Sequence, residues 1–127
     1  MNKLKEIVES LARKINAPDY VLPTYSKSED FARPHIEKHG SEYHWVVVER
    51  GQEFERRKTA NLKELLFWIF DSVTFVMATK KEVENRIDNE DFRIQLFKIQ
   101  EELIREIDSD YEKRLEEKHS KLLRMNN

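Results

Sequence analysis

Arg33-Pro34-His35-Ile36-Glu37-Lys38-His39-Gly40-Ser41-Glu42-Tyr43-His44-Trp45-Val46-Val47-Val48-Glu49-Arg50-Gly51-Gln52-Glu53-Phe54-Glu55-Arg56-Arg57-Lys58 is the stretch on which the fold turns. Its side chains alternate in character with a period of two, and Gly40 and Gly51 stand where tight turns would divide it into three short strands. The spacing predicts a three-stranded antiparallel meander. With Gly40-Ser41 and Arg50-Gly51 as turn centres, Ile36, Trp45, Val47 and Phe54 share one face. His35, Glu37, His44, Val46, Val48, Glu53 and Glu55 share the other. The first face is the expected core and the second is expected to be mostly wet. A slip of one residue in either turn would exchange these sets for that strand.

Downstream, Asn61 and Glu64 have capping-box spacing. They precede Leu62, Leu65, Leu66, Ile69, Phe70, Val73, Val76 and Met77, a wide apolar stripe at helical spacing. This helix is expected to lie on the sheet and to continue past Thr79 to about Ile87, although Thr79 with Glu82 repeats the capping pattern. Asp91 or Asn89 can cap a further helix through Phe92, Leu96, Phe97, Leu103, Ile104 and Ile107. Ser109 with Glu112 opens a last one through Tyr111, Leu115, Leu122 and Leu123. Upstream, Leu4, Ile7, Val8, Leu11 and Ile15 mark a first helix, with Asn2 able to cap it and Asn16 and Pro18 to stop it. Tyr20 to Ala32 has no period and reads as an irregular surface connection that packs through Tyr20 and Leu22. The expected class is α+β: an N-terminal helix, the three-stranded antiparallel β-meander, then three or four helices packed on the sheet.

Composition narrows the function. The chain has 127 residues and no Pro/Gly/Ser-rich linker, so residues 1–127 are expected to form a single domain that needs no disulfide or metal to fold. It contains no cysteine, which excludes a thiol nucleophile and every zinc site built on sulfur, and fits a reducing compartment. A net charge of −2, with charges of both signs interspersed, supplies no basic field for nucleic acid. Glu6 and Glu9 interrupt the apolar positions of the amino terminus, so no secretory h-region is expected. The longest apolar run, Leu65 to Phe70, is too short to span a bilayer. A cytoplasmic location is therefore expected, without a membrane partner. Two glycines in the whole chain cannot build a glycine-rich phosphate loop, and no serine lies in a nucleophile elbow.

Three groups carry chemistry. His35 and Glu37 project from one strand face with His44 expected across from Glu37, a spacing that three zinc ligands could use; alternating His and Glu is also ordinary composition for a wet sheet face. Asp71 sits among Phe67, Trp68 and Phe75, opposite the apolar stripe, so the long helix is apolar nearly all round. That fits a central helix with Asp71 paired to a basic side chain, or an aromatic face left exposed as a partner anchor. The segment from Glu49 to Arg57 concentrates charge at a hairpin, either as cross-strand pairs that protect an edge or as a surface complementary to a basic partner.

Several strings go beyond spacing: Ala32-Arg33-Pro34-His35-Ile36-Glu37, Tyr43-His44-Trp45-Val46-Val47-Val48-Glu49-Arg50-Gly51-Gln52-Glu53, Leu65-Leu66-Phe67-Trp68-Ile69-Phe70, and Asp91-Phe92-Arg93 with Phe97 and Gln100. Together they resemble the immunity protein 63 family of bacterial polymorphic toxin systems, from about Leu22 to about Leu103. The Glu-Arg-Gly-x-Glu stretch at Glu49 to Glu53, followed by the aromatic helix, is the most specific part. The resemblance implies a small protein made beside a secreted or contact-delivered toxin, which binds the effector domain of that cognate toxin and protects the producing cell. It brings no catalytic residue. The candidate partner-binding residues are Glu49, Arg50 and Glu53, which match the family, and Glu55, Trp68 and Asp71, which come from the residue reading. No catalytic residue, metal or cofactor is expected. Two alternatives stay open: a small metal-dependent hydrolase using His35, Glu37 and His44, and a generic adaptor or assembly subunit. The first or last helix could also pair two copies, and nothing in the sequence selects an oligomeric state.

Overall fold

Both tight turns form where the glycines stand. In the computed structural model, which describes residues 1–28 and 33–125, Gly40 (φ 63) opens the two-residue turn after β2 (His35–His39), as a type II′ hairpin asks. Arg50 (φ 54) and Gly51 (φ 74) are successive left-handed residues between β3 (Glu42–Glu49) and β4 (Gln52–Thr59), as in a type I′ turn. β2 pairs antiparallel with β3, placing Ile36 opposite Trp45 and Glu37 opposite His44 as expected.

The sheet departs from the predicted meander in two ways. It has four strands in the order β1-β2-β3-β4, because Thr24–Tyr25 (β1) adds to β2 in parallel. The Thr24 N–H donates to the Pro34 carbonyl and that of Ser26 to the Ile36 carbonyl. Two residues flanked by Pro23 give no readable alternation, so this strand was hidden in the expected irregular connection. Asp30 and Ala32 of that connection lie outside the described residues.

The second departure is a β-bulge. Val47 opposes Glu55 and Val48 opposes Glu53, which leaves Phe54 without a partner. The extra residue moves Glu55 onto the face of Trp45 and Val47, and leaves Phe54 65% exposed where a core residue was expected. The face expected to be wet is also largely covered: Val46 is fully buried, with His35 and His44 nearly so, beneath a network of their own neighbours described below.

The other face carries the core. α1 (Asn2–Lys14) contributes Leu4, Val8 and Ala12, and α2 (Leu62–Glu84) contributes Leu65, Ile69, Phe70 and Val73. They join Ile36, Trp45, Ile104 and Leu115 in one cluster. α1 begins at Asn2 with Met1 in the cap position, so Asn2 does not cap it, and it ends before Asn16 (φ 55). Asn61 caps α2 by accepting from the Glu64 N–H at 3.2 Å. The helix runs unbroken through Thr79 because that hydroxyl donates to the Phe75 carbonyl within the helix instead of capping a new one. Asp91 caps α3 (Phe92–Arg105), and Asp108, rather than Ser109, accepts from the first turn of α4 (Ser109–Met125). No helix among the described residues is long and apolar enough to cross a membrane.

α4 is fastened along α2. The Tyr111 hydroxyl donates to the Lys63 carbonyl at 2.6 Å, Arg114 grips Glu64 at 2.7 and 3.1 Å, and Lys118 reaches Asp71 at 2.8 Å. These contacts advance along both helices together, so the two run in the same direction, with Arg114 stacked 3.7 Å from the centre of the Phe67 ring.

Candidate functional site

The inner faces of β3 and β4 face α2, α3 and α4 across an open groove of about 610 Å³. Trp45, Val47, Glu55 and Arg57 form the sheet wall, and Trp68, Asp71, Ser72, Phe75 and Val76 the α2 wall. Phe97, Gln100, Lys118, His119 and Leu122 line it from α3 and α4, and Tyr20 and Val21, from the 3-10 turn Asp19–Val21, line it together with Arg33 and Pro34. The helical period explains the mixture. Leu65, Ile69 and Val73 point to the core, while Trp68, Ser72, Phe75 and Val76 lie on the flank that turns toward the groove. Tyr20 (64% exposed), Phe75 (47%) and Val76 (45%) make an apolar lip.

The polar groups of the groove are held by a chain of partners. The Arg57 guanidinium lies 5.2 Å from the Trp45 ring and 5.0 Å from the Trp68 ring. Its Nε is 3.2 Å from Glu55 Oε2, but that N–H is not aimed at the carboxylate and makes no hydrogen bond. The Trp68 indole N–H donates to Glu64 Oε1 at 3.0 Å. Hydrogen bonds from Arg114 hold the Glu64 carboxyl below the usual glutamate range. Asp71 accepts from Gln100 at 2.9 Å as well as from Lys118. His119, almost wholly buried, sets Nδ1 2.6 Å from Glu101 and stacks flat on Phe97 at 3.9 Å. Trp45 Nε1 and Gln100 Oε1 are buried in the groove walls without a hydrogen-bond partner among the described residues.

The opposite sheet face gathers the other chemistry. Glu37 accepts from His35 at 2.8 Å and His39 at 2.7 Å, and Arg56 reaches it at 3.0 Å. The same Arg56 also contacts His44 Nδ1 at 2.6 Å and Glu53 at 2.7 and 3.0 Å. Hydrogen bonds from Arg56, then His39 and His35, pull the Glu37 carboxyl down to about 2.

Glu37, His39 and His44 offer ligand atoms within 4.8 Å of one another. The arrangement does not suit an ion. Arg56 already occupies the cation position between Glu37 and His44, and its donation to Nδ1 leaves His44 Nε2 as the donor to Glu42 at 3.0 Å. His39 and His44 stack at 4.1 Å with their planes 28° apart, so their in-plane lone pairs run nearly side by side. An ion about 2.0–2.1 Å from both nitrogens would have to lie in both planes. The expected trio of His35, Glu37 and His44 is thus a hydrogen-bonded network around a guanidinium. His39 completes it, and the period of two from His35 and Glu37 was the signal for it.

The candidate partner-binding residues separate. Glu55, Trp68 and Asp71 come together in the groove. Glu53 lies with Arg56 on the opposite face, and Glu49 and Arg50 sit exposed at the β3–β4 turn. Arg57, Gln100, Lys118, His119 and Tyr20 were not read from the sequence as site residues. The bulge that turns Arg57 onto the Trp45 face leaves no mark in the sequence pattern.

A family model described as Immunity protein 63 matches residues 38–121, from the end of β2 through β3, β4, α2 and α3 into α4. The string from Ala32 to Glu37 lies outside the match, which instead continues beyond Leu103. No curated protein and no solved structure matches the chain.

Proposed function

Because the chain belongs to the immunity protein 63 family, we propose that it binds the effector domain of a cognate bacterial toxin in the cytoplasm and neutralises it, with the groove as the receiving surface. Occlusion of this kind asks for shape and charge and for no reacting group. Tight neutralisation corresponds to a Kd near 1 nM, about −12 kcal/mol, and to an interface of roughly 800 Å² per partner. Such interfaces concentrate their affinity in a few aromatic and arginine anchors inside an apolar surround.

The observation that carries the reading is the exposed lip of Tyr20, Phe75 and Val76 beside a groove walled by Trp45, Trp68 and Arg57. The test is co-expression with the effector domain of the toxin encoded beside this gene. A complex and protection from growth arrest are expected for the wild-type chain. Phe75→Asp and Val76→Asp, which change exposed side chains, are expected to abolish both, and Glu53→Lys on the other sheet face to leave them intact. Failure of the wild-type chain to bind or protect refutes neutralisation, and full protection by both lip variants refutes the groove.

A further inference from the structure

We infer that Arg57 is the anchor of the groove and takes a carboxylate side chain from an acidic, partly apolar segment of the bound toxin. This rests on the neutralisation reading and adds the chemistry of the segment that enters.

The guanidinium is built to receive an anion. Arg86 and Arg93 each set Nη2 and Nε on one carboxylate, with Nη2 at 2.7 Å to Glu82 and 2.6 Å to Asp91, and Arg114 sets both terminal nitrogens on Glu64 at 2.7 and 3.1 Å. Arg56 divides its own between Glu37 and Glu53. Arg57 differs from these: its shortest approach to an acid is Nε to Glu55 at 3.2 Å, and among the described residues no hydrogen bond is made by Nη1 or Nη2; Arg105, which likewise approaches Glu112 through Nε at 3.3 Å, lies outside the groove. Its side chain is 40% exposed, so the forked end is open to the groove. The plane of that fork is already set. Trp45 is buried, Trp68 is tied to Glu64 through its indole nitrogen, and the guanidinium lies against both rings. An arginine whose rotamer is fixed before contact loses less entropy when it forms a bidentate pair.

The surroundings choose among anions. Of the other groove cations, Lys118 is paired with Asp71 at 2.8 Å and Arg33 donates to the Leu22 and Asp19 carbonyls. Glu55 and Asp71 also line the groove, and their charge disfavours a phosphate dianion more than a carboxylate, which carries one charge. The lip of Tyr20, Phe75 and Val76 then asks for an apolar residue next to the acidic one.

The chain has two tryptophans, both against Arg57, so its two indole N–H signals in a nitrogen-15 NMR spectrum report on this site. On addition of the cognate effector domain both are expected to shift. Arg57→Lys, which keeps the charge but loses the fork, is expected to weaken binding about tenfold to a hundredfold, and Arg57→Gln at least as much. Lys121→Gln on α4 serves as the control and is expected to bind as the wild type does. Independently, glutarate titrated alone is expected to move both indole signals saturably in roughly the millimolar range, and not to move them in Arg57→Gln. Inorganic phosphate at equal ionic strength is expected to do less.

Wild-type affinity in Arg57→Lys, or silent indole signals in a formed complex, overturns the inference and leaves neutralisation standing. Absence of any complex refutes neutralisation, and the glutarate titration then decides on the carboxylate site alone. Phosphate shifting the indoles where glutarate does not would also overturn it.

Discussion

Replacing Tyr111 by Phe removes one oxygen and little else. The ring keeps its place 5.3 Å from Phe67, so no cavity opens, and the loss is confined to the hydrogen bond from the hydroxyl to the Lys63 carbonyl at 2.6 Å. The Tyr111 side chain is buried, and that burial pushes the hydroxyl up to about 12. A buried hydrogen bond contributes about 0.5–1.5 kcal/mol net, and an acceptor stranded without any donor costs about 1–3 kcal/mol. The Lys63 carbonyl lies in the first turn of α2 and still faces the amide one turn ahead in that helix, so it is not stranded and the smaller figure applies. The expected destabilisation is about 1–1.5 kcal/mol. With an unfolding entropy of roughly 2.1 cal/mol/K per residue, a chain of 127 residues should lose about 4–6 °C in Tm. Thermal unfolding followed by circular dichroism, with urea titration for the free energy, measures both. A change below about 0.3 kcal/mol would mean that this bond does not hold the start of α4 against α2. A loss above about 3 kcal/mol would mean that the helix bond at Lys63 is itself absent.

Two further outcomes follow from local geometry. Arg50 holds φ 54 without being glycine, so Arg50→Asn should stabilise the hairpin by about 0.5–1 kcal/mol in urea denaturation. Gly51→Ala should cost about 1–2 kcal/mol from its φ of 74 alone, because an added Cβ meets nothing within 4 Å. The lowered Glu37 carboxyl contributes stability that is fully present above its usual value of 4.5 and is lost as the pH falls through about 2. Glu37→Gln should therefore be less stable than the wild type at pH 7, and the gap should close between pH 4.5 and 2 in denaturant titrations. A gap that stays constant over that window would remove Glu37 as the centre of the outer-face network.

Where the sequence was readable, local chemistry fixed the outcome. Gly40 and Gly51 located both turns because each turn needs a left-handed residue there. Asn61 and Asp91 located two helix starts because their side chains satisfy free N–H groups. The pairing of Glu37 with His44 followed from the first turn. The reading failed where tertiary packing decides. β1 exists because β2 offers its edge, and its two residues carry no period of their own. The bulge at Phe54 reverses the faces of Phe54 and Glu55, since one extra residue is invisible to an alternation count. Only a small part of the groove lining was legible in the sequence. Trp68 and Asp71 were marked by their place on the helix, while Arg57, Gln100 and His119 enter the groove only through packing of β4, α3 and α4. Asp71 pairs with Lys118, as one of its two readings expects, and it also lines the open groove.

Hydroxyl-radical footprinting of the complex with the cognate effector domain tests the groove most directly, because exposed aromatic side chains lie both inside and outside it. Tyr20 and Phe75 should lose reactivity on binding, while Phe54 (65% exposed) and Phe92 (49%) should keep theirs. Protection of Phe54 or Phe92 with Tyr20 and Phe75 unchanged would place the toxin on another face and contradict the account.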